Sequence, residues 1–480
     1  MIRKTFWLLA AVVFLSGCNL IPEYRRPAAP VPSGWPSGPA YKETPQGAPL
    51  AVDLKWHDFF ADQRLRTIIE TALKNNYDLR VAALNVEKAR ALYRIQRAEI
   101  FPVVEASASG LKERAVENFF GVESAGTVSQ YSAGLGVTSW EIDFFGRIRS
   151  LEKRALEEYF ATEQARRNTQ ILLVSEVANA YVTLAADREN IKLAQSTFES
   201  QRASYNLIRR RYEVGLAHEL DLRQAQTRVD AAWVDVARYT QLAAQDENAL
   251  NLLASTTVPA DLLPEGLTEV APLPDVSPGV SSEVLLRRPD ILEAESRLKA
   301  ANANIGAARA AFFPRISLTT ALGTQSGDLT GLFKSGSFAW SYAPQIIMPI
   351  FDARLWPALK ATTVDREIAL AQYQKAIQEA FKDVADALAQ RGTLGDRIAA
   401  QLSLVDASEA AYRLSTARYE KGTDIYLNVL DAQRSFYSAQ QGLISIRLAK
   451  LSNQVRLYAV LGGGGDEPLI SIGPPIKAEW

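Results

Sequence analysis

The chain has 480 residues, enough for two or more ordinary domains, and its 53 Lys+Arg are balanced by 54 Asp+Glu. That balance supplies no field to draw nucleic acid. Two His, two Met and one Cys leave too few ligands for a transition-metal site and too few imidazoles for a Ser/His/Asp arrangement, so neither a metal nor another cofactor is expected.

Residues 1–17 read as a signal peptide: Arg3 and Lys4, an apolar run from Phe6 to Leu15, then Ser16 and Gly17 before Cys18. The apolar run is too short to span a bilayer. Leu15-Ser16-Gly17-Cys18 resembles the lipobox of bacterial lipoproteins. That resemblance implies cleavage before Cys18, acylation of its thiol and, with Asn19 rather than Asp next, the outer membrane as destination. Residues 18–61 then form an arm in which eight prolines within 19–50 exclude helix and favour extended chain.

A first unit covers 62–258. Asp62 is placed to cap a helix reaching about Glu99, with Leu65, Ile68, Ile69, Ala72 and Leu73 at three/four spacing, and Pro102 ends it. Strands are expected over 103–112 and 129–140. In the second, Tyr131, Ala133, Leu135 and Val137 alternate with Ser132, Gly134, Gly136 and Thr138. The 68 residues 147–214 contain neither Gly nor Pro; a continuous helix of that length spans roughly 100 Å at about 1.5 Å per residue. Gly215 interrupts the pattern and a second uninterrupted run reaches Val258, which predicts a long antiparallel helical hairpin with its tip near 215. The proline-rich stretch 259–289 is an irregular connector.

The second unit, 290–461, says much the same again. Asp78 to Pro102 and Asp290 to Pro314 are each 24 residues apart, and Arg211-Tyr212-Glu213-Val214-Gly215 returns 207 residues later as Arg418-Tyr419-Glu420-Lys421-Gly422. At that shift Leu220, Ala225 and Gln226 fall on Leu427, Ala432 and Gln433. Strands are expected over 315–325 and 337–348, the latter carrying Phe338, Trp340 and Tyr342 on one face. A helix should follow Pro357, loosened at Gly392 and Gly395, turn near 422 and return to Leu461. Gly462 to Gly465 open a tail, 462–480, and lack the Lys-Ser/Thr of a phosphate-binding loop. A repeat of this size suggests two half-structures packed with pseudo-symmetry.

Alternation alone fits a soluble hairpin as well as a membrane strand. Aromatic placement and the predicted envelope favour the membrane, where interfaces carry aromatic girdles. Four strands cannot close a membrane barrel, and an open edge in lipid leaves backbone groups unsatisfied. Either the strands lie outside the membrane or several chains share one barrel.

Several stretches carry a family resemblance across the whole chain: the lipobox, Trp56, Glu141-Ile142-Asp143-Phe144-Phe145-Gly146-Arg147, Arg287-Arg288-Pro289-Asp290-Ile291, Gly306 through Pro314, and Leu430-Asp431-Ala432-Gln433-Arg434. The chain resembles the outer-membrane factor family, the TolC-like proteins of tripartite efflux pumps, in its lipidated branch. The resemblance implies a mainly helical fold with a transmembrane β part. Long hairpins would form an α-barrel, and four strands per chain would join a twelve-stranded β-barrel in a homotrimer. It implies a passive duct, not an enzyme, working with a periplasmic adaptor and a proton-driven inner-membrane transporter. Leu427 and Asp431, four residues apart on one helix face, match the positions that narrow the closed duct, with Arg418 and Arg434 beside them. Val214, Gly215 and Leu216, and Lys421, Gly422, Thr423 and Asp424, match the hairpin tips that meet the adaptor. Glu420 and Lys421 depart from the basic-then-small pair common in that branch. Two other readings stand beside the drug or solvent duct. One is a lipid-anchored periplasmic coiled-coil scaffold; the other is the same conduit serving protein secretion or metal export.

Overall fold

The computed structural model describes residues 19–42, 48–115, 126–279 and 281–465. The signal segment, Cys18 and the tail beyond 465 lie outside them. Asp62 Oδ1 accepts from the backbone N–H groups of Arg64 and Leu65 and starts α1 (Gln63–Asn75). The predicted single helix to Glu99 is in fact two. Asn76 stands between α1 and α2 (Tyr77–Ala98), its Oδ1 accepting from Leu79 N–H and its amide donating to the Leu253 carbonyl. A three/four spacing of apolar residues runs through such a break unaltered, because the side chain of one polar residue makes it.

Strands β1 (Val104–Ala115), β2 (Gly126–Glu141), β3 (Arg315–Ser326) and β4 (Phe338–Ile347) form one antiparallel sheet in that order. β1 and β2 run further towards their connecting loop than the alternation suggested, pairing as far as Ala115 with Gly126. Within the sheet the two sequence halves meet at β2 and β3, whose register shifts between Val137 and Trp140, where Ser139 has φ 52°. One residue too many on one strand is a bulge, and it re-aims the strand end. On β4 the aromatic side chains of Phe338, Trp340 and Tyr342 are exposed.

The long helices are α3 (Arg147–Glu213), α4 (Glu219–Ala254), α5 (Pro289–Ala310), α6 (Leu355–Glu420) and α7 (Tyr426–Val460). α6 begins before Pro357, which sits in the first turn, where its missing N–H costs nothing. It also passes through Gly392 and Gly395 without loosening. A Cβ on Gly392 would collide with the backbone carbonyl of Ala40, so this glycine lets the N-terminal arm lie directly on the helix. Lys42 then pairs with Asp396 at 2.7 Å, and Trp35 stacks on Phe381 with centroids 5.4 Å apart.

Two compact units each draw on both sequence halves: the described residues within 1–28, 86–162 and 294–373, and the remainder. In the first, which holds the sheet, Glu141 at the end of β2 accepts from Arg147 of α3 (2.9 Å to each oxygen) and from Arg315 of β3 (2.6 Å). Phe145 stacks on Phe313 at 4.8 Å. The conspicuous Glu141–Arg147 and Gly306–Pro314 stretches thus meet as a joint between strands and helices. The arm is held there by Glu295 of α5, which accepts from Arg26 at 3.0 and 2.6 Å and from the Tyr24 hydroxyl at 3.1 Å. In the second unit Trp56, Phe59, Phe60, Leu65, Ile68, Tyr181 and Tyr458 are almost fully buried, Phe59 lying flat on Tyr458 at 4.0 Å.

Candidate functional site

The two hairpin tips lie in the second unit and share one backbone design. Gly215 N–H donates to the Tyr212 carbonyl at 2.9 Å and Leu216 N–H to Arg211 at 2.7 Å. Their counterparts 207 residues on, Gly422 to Tyr419 and Thr423 to Arg418, measure 2.9 and 3.0 Å. This pair of bonds ends a helix with a left-handed residue, and the glycines supply it with φ of 77° and 72°. The chain then re-enters a helix at Glu219 and at Tyr426.

Side chains on this common backbone differ. At the first tip Val214, Leu216 and Leu220 are 69%, 70% and 66% exposed. At the second, Asp424 is a hub: one oxygen accepts from Ile425 N–H (2.9 Å) and Asn428 Nδ2 (2.6 Å), the other from Arg418 Nε (3.1 Å). The Ile425 N–H above all, then Asn428 and Arg418, hold the Asp424 carboxyl below the usual range. Thr423 Oγ1 donates to the Arg418 carbonyl at 3.0 Å. Lys421, Gly422 and Thr423 are exposed.

Between the tips lies an apolar cluster. Ile208 and Ala225 of the first hairpin pack on Tyr426, Val429 and Leu430 of the second. The Arg211 guanidinium sits 5.4 Å above the Tyr419 ring and donates to its hydroxyl at 3.3 Å. Burial pushes the Tyr426 hydroxyl up to about 12. Nothing in the sequence links Ile208 to Tyr426; the contact is between hairpins and has no local spacing.

Leu427 and Asp431 occupy the other face of α7. Leu427 is 45% exposed. Asp431 accepts from Arg434 at 3.2 Å, one turn on. Arg418 belongs to Asp424 instead, so the charged residues singled out around Leu427 divide into two local ion pairs. Asp424, expected only as a contact residue, holds the second tip together; its position just before a helix with Asn four residues later was the signal. Among the described residues no group of three or more His, Cys, Asp or Glu is placed to hold a metal.

A family model described as "outer membrane efflux protein" matches residues 68–256 and 280–463. A toluene efflux pump outer membrane protein, TtgC of Pseudomonas putida, is 49% identical over 463 residues, 96% of each chain. The antibiotic efflux pump outer membrane protein ArpC of Pseudomonas putida matches equally, at 49% over 463 residues and 96% of each chain. Among solved structures, the open state of the Neisseria gonorrhoeae MtrE outer membrane channel is 38% identical with a TM-score of 0.83, covering 93% of this chain and 98% of that one.

Proposed function

The chain belongs to the outer membrane efflux protein family, and from that premise we propose that it is the exit duct of a tripartite pump, a homotrimer gated at its hairpin tips. Its place is the outer membrane. Cys18 carries the lipid anchor there. The sheet supports the trimer: four strands are half of the roughly eight a membrane barrel needs. β1 and β4 end the sheet as edges that lipid cannot satisfy. Three copies joined edge to edge close twelve strands, enough to leave a lumen.

The gate reading rests on one observation: Leu427 and Asp431 are exposed one turn apart on α7, opposite the cluster that packs the tips together. Around a threefold axis Leu427 forms an apolar constriction that resists wetting, and Asp431 a ring of carboxylates, each held by Arg434. Arg418 with Asp424 fixes the turn beside it. Val214, Gly215 and Leu216, with Lys421, Gly422, Thr423 and Asp424, receive the periplasmic adaptor. A proton-driven inner-membrane transporter supplies the energy, and the chain conducts without catalysing. The printed names of ArpC and TtgC support antibiotics and aromatic solvents as cargo. Planar-bilayer conductance tests the gate. Small, rare openings in the wild type should become larger and steadier in Leu427→Ala/Asp431→Ala. Silence from both, with the protein verified as inserted, would sink the duct.

A further inference from the structure

The four glycines that follow α7 have no part in the duct reading, yet they steer the chain to a definite place. Tyr458 near the end of α7 donates its hydroxyl to the Leu54 carbonyl at 2.6 Å. Gly463 N–H donates to the Tyr458 carbonyl at 3.0 Å, and a Cβ on Gly463 would overlap the Tyr458 ring. The Gly464 carbonyl then accepts from Gln170 Nε2 of α3 at 3.1 Å, and a Cβ on Gly465 would stand 3.1 Å from Ile171 Cδ1. Gly463, Gly464 and Gly465 are buried. The chain therefore does not leave for solvent after α7; it closes onto α3 and is still inside the unit at Gly465.

The same stretch of α3 carries a cation that lacks an acid. Arg166, one turn before Gln170, is 8% exposed, and its one hydrogen bond among the described residues runs from Nη1 to Gln170 Oε1 at 3.2 Å. It forms no ion pair with any described residue. Five N–H donors and a full charge are thus served by one neutral amide, whereas buried charges are ordinarily paired. Burial and the adjacent Arg167 draw the Arg166 pKa down, with Glu163 opposing them from three residues back. The second hairpin has no such deficit. At the 207-residue shift Arg166 and Gln170 become Tyr373 and Ile377, both buried and neutral, so the fold does not require a cation at this position.

Gln170 joins the two observations. Its amide donates to Gly464 from one side and accepts from Arg166 on the other. One side chain therefore separates the guanidinium from a backbone that continues, after Gly465, with Asp466 and Glu467. Consecutive Cα atoms are about 3.8 Å apart, a span that brings both carboxylates within reach of Arg166.

We propose that Arg166 holds the acidic pair Asp466-Glu467 and so docks the segment 466–480 on α3. The glycine run delivers the segment, Gln170 sets its approach, and the guanidinium supplies the charge that holds it. The segment then fastens the end of α7 to the first hairpin. This inference is independent of the duct reading.

The test is hydrogen–deuterium exchange of the full-length protein in detergent. In the wild type, amides of 466–473 should exchange about tenfold or more below their intrinsic rates. Arg166→Gln should remove that protection, and so should Asp466→Asn/Glu467→Gln, which leaves α3 untouched. Combining the two should lose no more than either alone, as expected of two partners in one pair. Arg167→Gln, at the adjacent cation, should keep the protection. Exchange of 466–473 at intrinsic rates in the wild type would overturn the proposal. Loss of protection in Arg166→Gln with none in the acid variant would also overturn it, leaving Arg166 a packing residue of α3.

Discussion

The two hairpin tips have one backbone and two chemistries. Their turn hydrogen bonds and glycine angles correspond residue for residue across 207 positions. Yet the first presents Val214, Leu216 and Leu220 to solvent, while the second binds itself together through Asp424, Arg418 and Asn428. A turn geometry is set by one glycine and a few main-chain bonds, so it survives duplication easily. Side chains on it are free to diverge. The first tip is closed by a single longer bond, His218 N–H donating to Asp221 Oδ2 at 3.3 Å, and its apolar face suits contact with another protein; the second, with three donors on Asp424, suits a position that must hold its shape. The same asymmetry recurs between the repeated helices α2 and α5: Glu295 of α5 grips the arm, where the corresponding residue of α2 is Ala83.

The largest test of this comparison is Tyr426→Ala. Tyr426 is buried between the hairpins, and removing it should cost about 3–5 kcal/mol of local stability, read as lost exchange protection at both tips. Its counterpart in the first hairpin, Glu219, is exposed, and Glu219→Ala should stay within about 0.5 kcal/mol. Equal losses would erase the distinction. Next, Glu295→Ala should cost about 1–3 kcal/mol by stranding Arg26 and Tyr24, and limited proteolysis should then cut residues 19–28 earlier than in the wild type. Smallest are Gly215→Ala and Gly422→Ala. Neither position has another atom within 4 Å of an added Cβ, so each substitution carries only the left-handed strain of about 1 kcal/mol. Thermal melting of the two variants should agree; a marked difference would mean the backbones are not equivalent after all.

Much of this architecture is legible in the sequence because its punctuation is local. Gly215, Gly422, Pro102 and Asp62 each act on their own few residues, and they mark turns and ends wherever they occur. The strands are legible as alternation, although their ends are not: β1 continues to Ala115 through Lys112, Glu113 and Arg114, where pairing rather than apolarity extends the ladder. Gly392 misleads, since a glycine that admits a neighbouring backbone looks in sequence like one that loosens a helix. At the tips, Leu427 and Asp431 are legible as one helix face. The cluster joining Ile208 to Tyr426 is not, because it depends on how two hairpins lie together. Arg418 looks in sequence like a partner for the gate acids, and its engagement with Asp424 depends on a turn closing six residues of chain.

The sheet with its two unsatisfied edges has a consequence for inheritance. A copy that is never made leaves the remaining copies free to assemble, so its loss is masked by a second, intact gene. In the ring proposed above, a copy that folds its helices but has a blunted β4 edge would still enter and prevent closure by its neighbours. Such an allele would poison the intact product made beside it, and the damage would be dominant although the protein itself does nothing.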